Sequence, residues 1–175
     1  MIKHDNRANE THYKLIDPFC IFWLKFRDEG IRWREHFWQE NLEAQQIVSW
    51  RGIAFENVCW NHIPQIKRAL GVEGVSAEYS AWTKKPDDEE GIQIDLLISR
   101  KDHVVNMCEN KFYGDDFTVD KDYYRVILRR SEILAARFAK TASIHNTLIT
   151  TFGLKHNEYS KVFTDVVTIN DLFSP

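Results

Sequence analysis

The chain has 175 residues, 43% of them apolar and 13% aromatic, enough to bury one core of ordinary size, so a single domain is the natural expectation. Twenty-three basic against 26 acidic residues leave a net charge of −3, which excludes bulk attraction to nucleic acid and confines any such binding to a local basic patch. The three cysteines, Cys20, Cys59 and Cys108, form no CxxC pair and the histidines are scattered, which argues against zinc and for buried free thiols in a reducing cytoplasm; no stretch approaches the roughly 20 apolar residues that span a bilayer.

Residues 1–11 are polar and charged and read as a frayed leader or the end of something upstream, with order beginning near Tyr13. Asp17 followed by Pro18 is a helix start, an N-cap and then a residue with preset φ, and residues 19–26 supply the apolar turns. Trp33, Phe37 and Trp38 are spaced to share a face of a second helical segment. Ser49 is expected to cap a longer helix over 50–70, kinked or broken near Pro64 and closed by Gly71.

After Gly74 the pattern alternates, which predicts strands over 75–82, 92–99 and 104–112, with a solvated connection over 84–91 and a tight turn over 100–102. Helical periodicity returns over 119–139, where Tyr123, Val126, Ile127, Ile133, Leu134 and Phe138 form an apolar face. Strands over 146–152 and 161–167 and a terminal turn over 170–173 complete the chain. This order predicts an α/β fold, a mixed sheet flanked by helices, with residues 1–48 as a helical extension packed on a core of residues 49–175.

Strict alternation in the second strand puts Ile92, Ile94, Leu96 and Ile98 on one face and Gln93, Asp95, Leu97 and Ser99 on the other. In the third, Val105, Met107, Glu109 and Lys111 share a face. A turn centred on Lys101 sets Asp95 diagonal to Glu109, and one centred on Asp102 sets it directly opposite; either register joins two carboxylates. Like charges so close need a cation or a shared proton, and Lys111 compensates only part, so a hard divalent cation, Mg²⁺ or Mn²⁺, is the economical solution. Upstream, Glu56 shares a helical face with Ile53 and Trp60 and is expected to be half-buried and to join the same cluster.

An acid on a helix, Asp95 on a strand, thirteen intervening residues and then Glu109-x-Lys111 on the next strand resembles the PD-(D/E)XK nuclease superfamily. Ile94 stands where the motif's name has Pro. The segments Tyr13-Lys14-Leu15-Ile16-Asp17-Pro18-Phe19, Trp50-Arg51-Gly52-Ile53-Ala54-Phe55-Glu56-Asn57, Ile92-Gln93-Ile94-Asp95-Leu96-Leu97-Ile98 and Thr150-Thr151-Phe152-Gly153-Leu154 look more specifically like the C-terminal domain of a family of prokaryotic AAA-type ATPases. The resemblance implies a restriction-endonuclease-like core and Mg²⁺-dependent hydrolysis of phosphodiester bonds in DNA, or less readily RNA. It implies a metal held by Asp95 and Glu109 with help from Glu56, and Lys111 orienting or activating water.

No Gly-x-x-x-x-Gly-Lys-Ser/Thr loop occurs, so the ATPase is expected elsewhere, in the same polypeptide or in another chain. Gln93 is a candidate phosphate or water contact, and Lys121, Arg125 and Arg129 recur every four residues, with Arg130 and Arg137 nearby, as a stripe that could grip a phosphate backbone, although a solvated face is the commoner meaning. Two other readings stay open. One is a catalytically inactive module that binds nucleic acid or protein and regulates the ATPase. The other is an oligomerisation domain built on the aromatic N-terminal helices, with the carboxylates and Lys111 merely stabilising a hairpin.

Overall fold

A computed structural model describes residues 3–4, 15–27, 35–84, 92–138 and 142–174. Asp17 begins the first helix as expected. Its carboxylate accepts the Cys20 amide at 2.6 Å, Pro18 follows at the first position, and α1 (Pro18–Phe26) runs from there. After α2 (Phe37–Asn41), the chain enters α3 (Gln45–Asn61) and α4 (Ile63–Ala69). The expected start at Ser49 is corrected: α3 begins one turn earlier, after Ala44, which offers no side-chain cap. The expected break near Pro64 falls at His62, which separates the two helices.

Gly71, at φ 68°, closes α4. Its amide donates to the Arg68 carbonyl and that of Val72 to Lys67, so two otherwise orphaned helix-end carbonyls are bonded.

Strands β2 (Ala77–Lys84), β3 (Ile92–Arg100) and β4 (Val104–Lys111) form an antiparallel meander, and β5 (Ser143–Thr150) and β6 (Asp165–Thr168) add in parallel beyond β4. Helix α5 (Lys121–Phe138) crosses between β4 and β5, a 3-10 turn (Ser160–Val162) precedes β6, and α6 (Ile169–Phe173) ends the described chain. Five strands therefore build a mixed sheet in sequential order. A two-residue strand β1 (Lys3–His4) lengthens its edge by pairing with Ser80 and Ala81. That pairing corrects the expected frayed leader at these two residues; edge backbone groups of β2 recruit them without any apolar side chain. The expected 84–91 connection and the Trp33 position fall largely outside the described residues.

Both faces of the sheet are covered. Ile127 and Leu134 of α5 join Trp82, Ile92, Ile94, Leu97, Val105, Met107 and Leu148 in one buried cluster. Phe55 and Cys59 of α3, Ile63 and Ile66 of α4 and Leu172 of α6 join Leu96, Ile98, Cys108, Ile149 and Val167 in the other. Each such aliphatic side chain gains about 1.5–3 kcal/mol on full burial, which is why a strand buried on both sides reads as a continuous apolar run. A third, aromatic layer joins Phe22, Phe26, Phe37 and Trp38 to Trp50 of α3, with ring centres 4.8–6.4 Å apart in mostly edge-on or tilted contacts and Phe22 stacked on Trp38.

The clusters also correct the strict alternation expected of β3. Ser80 pairs with Leu97 but Trp82 pairs with Ile94, so Ala81 alone faces Asp95 and Leu96. This bulge slips the phase by one residue. Ile92 and Ile94 accordingly lie with Leu97 beneath α5, while Leu96 and Ile98 lie beneath α3 and α4. The expected burial of all three cysteines is corrected too: Cys59 and Cys108 are buried, whereas Cys20 is exposed on α1.

Candidate functional site

The β3–β4 register runs Leu96 to Cys108, Leu97 to Met107, Ile98 to Asn106 and Ser99 to Val105, the register of a turn centred on Asp102. One further step sets Asp95 opposite Glu109. There the ladder gives way to a side-chain bond, the Asn110 amide donating to Asp95 Oδ2 at 3.3 Å. The Asp95 carbonyl accepts the Trp60 indole N–H at 3.2 Å, which ties the bulge to α3. Asp95 thus stands at a distortion in the sheet, held from both sides.

Glu109 and Lys111 share the α5 face of β4, as expected from their spacing. Glu109 is 1% exposed, and both its oxygens are engaged. Tyr123 donates its hydroxyl to Oε2 at 2.9 Å and Arg130 donates to Oε1, while Lys111 Nζ lies 3.9 Å from Oε2 and 5.1 Å from the centre of the Tyr123 ring. Burial and the Glu109 charge hold the Tyr123 phenol well above its ordinary pKa, so it stays a donor. Thr150 pairs with Lys111 across the parallel β4–β5 ladder, and its buried hydroxyl meets no hydrogen-bond partner among the described residues.

Burial, then Glu109, then Glu56 push the Asp95 carboxyl up to about 6, against the Asn110 amide and Lys111, which pull it down. The order matters: desolvation and two neighbouring acids outweigh the ammonium. Glu56 is half-buried on α3 and acts on Asp95 through its charge. Glu109 and Lys111 therefore lie together on the α5 face near the end of β4, Asp95 on β3 is bonded to the neighbouring Asn110 amide, and Glu56 reaches Asp95 from α3 through its charge alone.

The other candidates lie apart from this cluster or at its margin. Gln93 is exposed on β3, paired across the ladder with Thr83. Along α5, Lys121 and Arg125 are exposed, Arg125 bonding Asp122 at 3.1 Å, and Arg129 is half-buried. Arg130 leaves this stripe and turns inward.

Arg130, Tyr123, Thr150 and Trp60 are the site residues that sequence reasoning missed. Tyr123, Ile127, Arg130 and Leu134 are spaced four, three and four apart, the rhythm of a buried helical stripe, so a cation at a core position was the available signal for Arg130.

Asp95 has the chemistry of a hard-cation ligand. Glu109 does not fit that role in this arrangement, because an arginine and a tyrosine occupy its two oxygens. Among the described residues no group of three or more His, Cys, Asp or Glu is placed to hold a metal ion. The same residues contain no helix long and apolar enough to cross a membrane. Comparison with known protein families, with curated proteins and with solved structures gives no match to this chain.

Proposed function

We propose that this chain is a nuclease-type domain with a restriction-endonuclease-like core, directed at the phosphodiester backbone of DNA and working with an AAA-type ATPase module. The observation that carries the reading is the desolvated Asp95 at the β3 bulge, its carboxylate bonded to the Asn110 amide of β4 and its charge opposed by Glu109 and Glu56, with Lys111 pulling the other way. A purely structural ion cluster has no need of a carboxylate whose charge is disfavoured where it stands.

The residues divide the work as follows. Asp95 offers the carboxylate most in need of a cation, and Lys111, one-third exposed, offers its ammonium to a phosphate oxygen or a water at the rim. Glu109 holds Lys111 and Tyr123 in register.

A second reading has its own support. The engagement of both Glu109 oxygens favours a domain that keeps its carboxylates but serves as an inactive nucleic-acid- or protein-binding regulator of the ATPase.

Titration calorimetry of Mg²⁺ and Mn²⁺ into the wild type and Asp95→Asn, with plasmid and single-stranded DNA incubated in parallel, separates the two. Saturable, Asp95-dependent binding with cleavage supports the nuclease. Absence of both leaves the regulatory module.

A further inference from the structure

Helix α1 is apolar on nearly every side: Pro18–Phe26 carries a single charge, Lys25, and no acid. Its inner face is filled by its own neighbours. The rings of Phe22 and Phe26 lie 4.8 Å apart, and Phe22 reaches both Trp38 and Trp50 at 5.5 Å. The outer face is just as apolar. Phe19 is 68% exposed, Trp23 52% and Leu24 50%, with Cys20 exposed among them. Helical spacing explains the division, because Phe19 and Trp23, and beside them Cys20 and Leu24, are one turn apart, while Phe22 and Phe26 are one turn apart on the other side. Leu15 and Ile16, both nearly half exposed, extend the patch, and the Asn57 side-chain amide, donating to the Leu15 carbonyl at 3.2 Å, ties that extension to α3. A helix that is hydrophobic all round is ordinarily enclosed all round.

The size of the patch indicates what covers it. An aromatic residue presents roughly 150–250 Å² in full, so these six residues leave about 500–600 Å² of apolar surface facing outward, the upper end of what monomers expose. At the roughly 65% apolar share of homodimer interfaces, a contact centred there spans about 800 Å² on each partner, the standard size of a stable interface. Charge favours a second copy in one orientation. None of the six residues is charged, Asp17 begins the helix, and Lys25 and Arg27 end it, the latter with its guanidinium 5.2 Å from the centre of the Trp23 ring. Two copies related by a two-fold axis and packed antiparallel would set each acidic helix start against the basic end of the other. A lipid surface suits the residues less well: interfacial helices keep a polar face rich in Lys and Arg opposite the apolar one, and here the opposite face is packed on Trp38 and Trp50.

We propose that the outer face of α1, together with Leu15 and Ile16, is the interface of a homodimer, in which two copies of this chain pack their first helices antiparallel about a two-fold axis near Cys20 and Trp23. The dimer is independent of the nuclease reading, since it uses none of the residues of the Asp95 cluster and forms whether or not that cluster cleaves DNA.

The test is sedimentation equilibrium of the full chain from about 1 to about 100 µM, a range that brackets a micromolar dissociation constant. Wild type, Trp23→Ala and Trp23→Glu are compared, each checked for folding by circular dichroism. The wild type is expected to be a dimer within this range. Trp23→Ala should weaken it roughly thirtyfold or more, as loss of a central aromatic anchor does, and Trp23→Glu should be monomeric throughout. Cys20 supplies a second reading, because Cys59 and Cys108 are buried and a maleimide will label Cys20 first. Its alkylation is expected to slow as the wild type is concentrated and to stay constant in Trp23→Glu.

Should Trp23→Glu fail to fold, Phe19→Asp introduces the same charge one turn away on the same face. A wild type that stays monomeric at the highest concentration overturns the proposal. So does a dimer whose affinity is unmoved by substitution of both Trp23 and Phe19, which places the contact elsewhere, and so do open-ended aggregates, which a two-fold contact cannot build. A monomeric chain that binds vesicles of phosphatidylcholine and phosphatidylserine through Trp23 also overturns it and makes the patch a lipid contact.

Discussion

Asp95 experiences opposite pulls whose balance can be measured through stability. Its folded-state value of about 6 lies above the 3.8 of an unhindered aspartate, so between those values the folded chain holds the proton more firmly than the unfolded one. Stability then falls as pH rises from about 4 to about 6 and stays reduced above. A pKa raised from 3.8 to about 6 corresponds to roughly 3 kcal/mol at most. Asparagine keeps an acceptor for the Asn110 amide and has no charge to desolvate. Asp95→Asn is therefore expected to stabilise the metal-free protein near pH 7 by about 1–3 kcal/mol and to flatten this part of the pH profile, read as urea midpoints across the range. Destabilisation at pH 7 would mean that the charged form of Asp95 is a net support, as in a structural ion pair. Glu109 makes the converse case. Tyr123→Phe deletes a bond to a buried carboxylate and should cost about 1.5–3 kcal/mol by the same measurement; a cost near zero would show that Arg130 alone satisfies the acid.

At the level of elements, the reversal after α4 depends on one left-handed residue. A methyl group added at Gly71 meets no atom within 4 Å, so Gly71→Ala isolates the backbone cost of φ 68°, roughly 1 kcal/mol in thermal or urea unfolding. A neutral result would place the closure of α4 in packing instead. Much of this architecture was legible in the sequence, each part through its own signal. Asp17-Pro18 announced α1, alternating apolar residues announced the meander, and the E-x-K spacing put Glu109 and Lys111 on one face. The β3 bulge left one faint trace: no glycine or proline marks it, but Leu97 is apolar where strict alternation puts it with Gln93 and Asp95 on the polar face. The start of α3 was hidden because Ala44 caps nothing while Ser49, inside the helix, has the composition of a cap. Arg130 was hidden among other cations on α5, though its spacing from Tyr123 and Leu134 carried the clue.

For the molecule as a whole, the aromatic layer over α3 and the two clusters flanking the sheet are separate bodies of buried surface. Phe26, 3% exposed, anchors that layer, and Phe26→Ala is expected to cost about 3 kcal/mol through the cavity it leaves. Because the layer packs on α3, whose other side carries Glu56 and Trp60, the variant should retain whatever Mn²⁺ affinity the wild type has, measured below its melting temperature. A matching loss of affinity would mean that the layer sets the position of Glu56 and Trp60. Trp60 also supplies a means of observation. Its indole N–H bonds the carbonyl of Asp95 at 3.2 Å, so one of the six tryptophans is wired to the backbone of the candidate ligand. Fluorine-labelled tryptophan would turn that bond into a resonance whose shift follows the bulge directly, so that any rearrangement at Asp95 on adding an ion or DNA could be read from the indole itself.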